Sequence, residues 1–189
     1  MQFAKDSFLL ALQSRLGSLN PARTVTINGA TVPAVVAVEN LPPASAEPQP
    51  NAFYIEWGSA RVIAGHAGDA ALMSVECVVS YYTLGTVQSM VDRGRVLGQL
   101  DGELLGICQP PNTEKLDYTQ SPTADLGTKV FWNQPAFDEA VTAGVEDDTM
   151  AYQTGRAGRK VLYTQAFQDG RAARRAGLTV FFFSEVTLL

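Results

Sequence analysis

One histidine and two cysteines are all the imidazole and thiol in this 189-residue chain. A histidine-rich metal centre is therefore excluded, and a triad that needs an imidazole has only His66 to draw on. His66 stands in Gly65-His66-Ala67-Gly68-Asp69, which reads as a turn holding a solvated loop residue. Cys77 and Cys108 share no Cys-x-x-Cys spacing and no disulfide-rich framework, so two buried, reduced thiols are expected. Cys77 falls at a core-facing strand position, whereas a nucleophilic thiolate wants an exposed, electropositive setting. Long apolar runs are missing too: the longest, near Val180 to Phe183, is far short of the roughly 20 residues that cross a bilayer, so a water-soluble chain with no membrane partner is expected. Met1-Gln2-Phe3-Ala4-Lys5-Asp6 lacks the basic stretch, apolar run and cleavage site of a secretory signal, which reads as a protein made and kept in the cytosol.

Positive charge is also in short supply. With 14 Lys and Arg against 19 Asp and Glu, the net charge of −5 argues against a protein whose main task is gripping phosphate backbones. Phosphate-loop, dinucleotide and nucleophile-elbow motifs are missing. Gly155-Arg156-Ala157-Gly158-Arg159-Lys160 offers glycines and cations but no strand-to-helix context, and reads as a basic loop. Glu146-Asp147-Asp148 matches no calcium-loop spacing and reads as a solvated acidic turn. The expectation is a protein that is not an enzyme and carries no cofactor or metal; a small ligand-binding domain built on His66, Glu76 or Arg159 is the least favoured alternative.

What is present describes a folded chain. At 46% hydrophobic and 17% charged, with 16 glycines and 10 prolines, it reads as one domain of residues 1–189 with many turns. Phe8, Leu9, Leu12, Leu16 and Leu19 recur at helical spacing, predicting an amphipathic helix from Met1 to Leu19 that ends at Asn20-Pro21. Asn28-Gly29 between Thr24-Val25-Thr26-Ile27 and Thr31-Val32 predicts a type I′ hairpin, its second strand continuing through Val35, Val36 and Val38. Leu41 to Asn51, with four prolines, reads as a loop. Phe53–Trp57 and Arg61–Ile63 read as strands around Gly58-Ser59, and Met73 to Tyr81 as a strand with one apolar and one mostly polar face. Val87 to Ile107 reads as a second long helix capped by Thr86, its Gly94, Gly98 and Gly102 marking a surface where something packs close. A loop is expected from Pro110 to Gly127, then strands at Thr128–Trp132, Val161–Tyr163 and Leu178–Phe183, the last buried. The fold class is α+β: a mostly antiparallel sheet packed against an N-terminal helix and a second long helix.

One charge pattern stands out. Asp138, Glu139, Glu146, Asp147 and Asp148 form an acidic stretch, followed by Arg156, Arg159, Lys160, Arg171, Arg174 and Arg175. Blocks of opposite sign pair either within one chain or between identical neighbours set head to tail, which makes these residues the candidate subunit interface.

The order of elements, with Ser74-Val75-Glu76-Cys77-Val78-Val79-Ser80-Tyr81-Tyr82 running through Gly85-Thr86 into Val91-Asp92-Arg93-Gly94-Arg95, resembles the tail-terminator and neck proteins of tailed bacteriophages. Asp117-Tyr118-Thr119 and Val130-Phe131-Trp132 add to the likeness, which covers Met1 to about Trp132. It implies a virion protein assembled in the host cytoplasm: a ring, usually of six copies, that caps the tail tube, ends its polymerisation and docks to the head connector. DNA would pass through the lumen without specific binding, as the excess of acid suits. Other structural subunits of the same particle, in head closure, tube or baseplate, are the alternative. Residues 135–177 depart from smaller family members and read as an insertion or extended arm.

Overall fold

The computed structural model describes residues 1–41, 48–83, 92–138, 141–142 and 172–187. Its elements are α1 (Gln2–Leu19), β1 (Thr24–Ile27), β2 (Ala30–Pro33), β3 (Val35–Ala37), a 3-10 turn (Val38–Asn40), β4 (Phe53–Ala64), β5 (Ala70–Thr83), α2 (Asp92–Ile107), β6 (Asn112–Asp117), β7 (Ala124–Trp132), β8 (Ala136–Phe137), β9 (Val141–Thr142) and β10 (Ala172–Thr187). The architecture is the expected α+β one. β1 and β2 form a separate hairpin, and the main sheet runs β3-β4-β5-β10-β7-β6. Among the described residues, only the β3–β4 pairing is parallel. β10 is the central strand. One of its edges pairs with β5 from Ala172 to Thr187, while the other is tiled in turn by β9, β8 and β7.

α1 lies on one face of this sheet because Ala4, Phe8, Leu12 and Leu16 fall on one stripe and are fully buried. Phe8 is the anchor. Its ring meets Trp57 of β4 edge-on at 5.7 Å and Trp132 of β7 at 5.0 Å, so a single side chain ties the helix to strands on both sides of β5 and β10. Lys5 and Arg15 lie over the same two indoles, each at 5.2 Å. Arg15 also donates to the carbonyls of Ile107, Pro110 and Asn112, placing a cation at the C-terminal end of α2, where the helix dipole favours one. α2 buries Leu97, Leu100, Leu104 and Ile107, the spacing expected of a surface helix.

The Asn28-Gly29 turn forms as predicted, both residues at positive φ. Beyond it the structure corrects several expectations. The chain breaks at Ala34, whose N–H donates to Arg23, and Val35–Ala37 joins the main sheet as β3 instead of prolonging the hairpin; Val38 turns away. β4 is one 12-residue strand, and Gly58-Ser59 marks a bulge within it, the register slipping between Trp57 and Ala60. β5 does not have a free polar face: Ser74, Ser80 and Tyr82 are buried as well as Val75, Cys77 and Val79. Asn112–Asp117, expected to be loop, is the edge strand β6. Within Leu178–Phe183 of β10 only alternate residues, Leu178, Val180 and Phe182, are buried, and Phe183 faces solvent. Ala172–Gly177, at the end of the stretch expected to be an insertion, opens this central strand, and residues 136–137 and 141–142 pair with it. Thr86, residues 143–171 and with them Val161–Tyr163 lie outside the described residues.

Candidate functional site

The charge blocks resolve in part. Arg175 Nε stands 3.3 Å from Asp138 Oδ2, while Asp138 N–H donates to the Arg175 carbonyl at 2.9 Å. Arg174 reaches the Asp138 carbonyl and, at 3.3 Å, the Asp101 carboxylate on α2. These three residues thus follow the intrachain alternative, brought together by the pairing of β8 and β10. Glu139, Glu146, Asp147, Asp148, Arg156, Arg159, Lys160 and Arg171 lie outside the described residues.

His66 is exposed in the turn between β4 and β5, where its carbonyl accepts from Asp69 N–H. Glu76 lies further along β5, paired with Arg61 at 3.3 Å on the surface. Cys77 and Cys108 are both free and buried. Burial, with the nearby Cys108 adding to it, holds the Cys77 thiol far above its usual range, and burial pushes Cys108 up to about 12 against the opposing pull of Arg15. Both are packing residues in the core, as the sequence suggests.

An open groove of about 540 Å³ runs between the end of α1 and α2, lined by Leu19, Asn20, Arg23, Gln99, Gly102 and Glu103. Its polar floor is satisfied internally: Arg23 holds Glu103 through Nε at 2.5 Å and Nη2 at 2.9 Å, and Asn20 donates to the same carboxylate. Within the chain the α2 glycines meet no close contact: a Cβ at Gly94, Gly98 or Gly102 has nothing within 4 Å among the described residues. The tight position is Gly106, where a Cβ lies 3.2 Å from Leu19 Cδ2.

The feature that sequence reasoning missed is the far end of the sheet. From Ser59 to Ala70 every residue is exposed, so the outer half of β4 and the turn into β5 form an open margin of the sheet, while β5 stays paired with β10 on its other side. Val62 and Ile63, neighbours on opposite sides of the strand, are 55% and 49% exposed. β3 pairs with β4 only from Phe53 to Ile55, and among the described residues nothing pairs with that edge further out. The other sheet margin is different. Ser7 Oγ accepts from Leu116 N–H on β6 and Arg15 caps the Asn112 carbonyl, so α1 blunts that edge. Consecutive Val62 and Ile63 in a strand are the signal the sequence held: alternation puts one of them on each face, and both are buried only where both faces are covered.

Among the described residues, no helix is long and apolar enough to cross a membrane, and no group of three or more His, Cys, Asp or Glu is placed to hold a metal ion. Compared with known proteins, the chain matches no protein-family model and no curated protein sequence.

Proposed function

We propose that this chain is a structural subunit of a bacteriophage tail, a terminator that closes into a ring of identical copies, caps the tail tube and stops its growth. In this reading it belongs to the virion, assembles in the host cytoplasm, and docks on its other face to the head connector. The observation that carries the reading is the outer edge of β4. Beyond β3 it has no partner among the described residues and carries two half-exposed aliphatic side chains, an arrangement that a lone chain keeps at the risk of uncontrolled pairing. An edge on one side of the protomer and a blunted margin on the other make a head-to-tail contact the natural use, and such contacts close into rings when the rotation allows. The net charge of −5 is in keeping with a wall along which DNA slides without sticking.

The test is to add the purified chain to polymerising tail-tube subunits of the same particle and to measure tube length by electron microscopy. A terminator shortens the tubes and decorates one end. Tubes of unchanged length and bare ends reject the reading in favour of another structural subunit, in head closure, tube or baseplate.

A further inference from the structure

The end of β10 is held differently from the rest of that strand. Its pairing with β7 stops at Phe182, and the carbonyl of the next residue, Phe183, accepts from the Lys115 ammonium of β6. The ladder thins on the β5 side as well. Between the pairs Phe183–Leu72 and Thr187–Ala70, three residues of β10 stand against Ala71 alone, which makes a bulge. Strand alternation would leave Glu185 on the solvent-facing side with Phe183; the bulge turns it to the start of α1.

There the Glu185 carboxylate bridges two cations. One oxygen stands 2.7 Å from Lys115 Nζ, and the other meets the Met1 amino group. Exposure is unequal across the pair: the Lys115 side chain is 3% exposed and the Glu185 side chain 26%. The acid is therefore the partner that a proton reaches from water. The cation is the one that cannot stay in place alone, because an unpaired ammonium in the interior is strongly unfavourable. Among the described residues no other charge acts on this carboxylate: β5 opposite brings Ala70, Ala71 and Leu72, and Lys129 of β7 is paired with Glu114 at 3.0 Å.

We propose that residues 183–187 form an acid-released latch: protonation of Glu185 strands the Lys115 ammonium, the segment leaves the sheet, and Lys115 turns out into water. The rest of β10 keeps strands on both edges, β5 on one and β9, β8 and β7 on the other, so the core stays closed. Release takes from Ala70 to Leu72 their β10 neighbour, and this stretch of β5 lies beside the outer half of β4. The same margin of the sheet is then open along two strands. The latch does not rest on the ring reading, since every contact in it lies within one chain.

Lysine reactivity reads the latch directly. The full chain is treated with an acetylating reagent at neutral pH, and modification of each lysine is followed in time by peptide mass spectrometry. In the native chain Lys115 should react far more slowly than the half-exposed Lys129. Glu185→Gln should speed Lys115 at least about tenfold, with Lys129 unchanged and Lys5, only 12% exposed, still protected. In a Lys115→Met background the same Glu185→Gln change should have little effect on amide exchange, which ties release to the stranded ammonium. Amide exchange also carries the test into acid. At neutral pH residues 183–187 and 70–72 should exchange faster in Glu185→Gln than in the native chain, and below 4.5, the ordinary carboxyl value, that difference should vanish. A Lys115 as slow in Glu185→Gln as in the native chain overturns the proposal. So does loss of protection at Lys5 and throughout the core in step with Lys115, which would mean general unfolding and no separate latch.

Discussion

The Tyr81 hydroxyl on β5 donates to the Asp101 carboxylate on α2, and Arg174 of β10 stands 3.3 Å from the same carboxylate oxygen. One acid thus joins the second helix to two central strands. Asp101→Ala leaves a buried phenol and a half-buried guanidinium without their acceptor, and should cost about 2 kcal/mol in urea unfolding. Tyr81→Phe removes donor and need together and should cost about 1 kcal/mol or less. Equal losses would show that the carboxylate is not the shared hub.

Alkaline pH should unfold the protein through three buried acids. Burial first, then the hydrogen bond and charge of Asp101, hold the Tyr81 phenol well above its ordinary 10.0, and burial raises both thiols above 9.0. Because each folded-state pKa is raised, the stability these groups contribute is complete below their ordinary values and is lost as pH climbs past them. Chemical stability measured across pH should begin to fall near 9, where the unfolded thiols ionise. In a Cys77→Ala, Cys108→Ala variant the fall should start later, near the phenol's 10.0. Identical curves for the two proteins would contradict the burial argument.

Lys115 is only 2% exposed, and its ammonium pairs with Glu185 at 2.7 Å and donates to the Phe183 carbonyl. Burial raises the Glu185 pKa, but the hydrogen bonds and charge of Lys115, helped by the Met1 amino group, outweigh it and leave the carboxyl below its usual range. A depressed folded-state pKa contributes stability above the ordinary value of 4.5 and loses it as pH falls further. Glu185→Gln should therefore flatten the acid limb of the stability profile, and at neutral pH should cost about 2 kcal/mol by leaving a buried ammonium without its anion. Lys115→Met should cost less than Glu185→Gln, since it removes the buried charge itself.

Two glycines should respond in opposite directions. A Cβ at Gly58 would lie 2.9 Å from Glu76 Cβ, so Gly58→Ala should destabilise by about 1–3 kcal/mol at the β4 bulge. A Cβ at Gly98 meets nothing within 4 Å, so Gly98→Ala should stabilise α2 by about 1 kcal/mol. Thermal unfolding of both variants decides it. A destabilised Gly98→Ala would return that glycine to the close-packing role its spacing suggests.

Legibility followed the locality of the cause. The α1 stripe, the Asn28-Gly29 turn and the core side of β10 were readable because a few neighbouring residues dictate each. β6 was missed because Asn112-Thr113-Glu114-Lys115-Leu116-Asp117 is polar for a strand; it is held by pairing with β7 and by Ser7 and Arg15, which lie about a hundred residues away in sequence. Leu178–Phe183 looked buried on both faces because nothing local tells a covered face from an open one. The candidate surfaces were hidden for the same reason. The acidic and basic blocks drew attention by contrast of charge, yet Asp138, Arg174 and Arg175 bond within the chain, while the exposed Val62, Ile63 and Phe131 read as plain strand residues and Phe183 as part of a buried strand.

Electron microscopy of the purified chain, alone and mixed with tail tubes, tests the assembly claim most directly, with Val62→Asp and Ile63→Asp as companions. These substitutions sit on the exposed outer half of β4 and should change folding stability by no more than about 0.5 kcal/mol. The account predicts closed rings with a central opening, free or seated on tube ends, that vanish in both variants. Isolated monomers in both samples, or rings that persist unchanged when Val62 and Ile63 become aspartate, would contradict it.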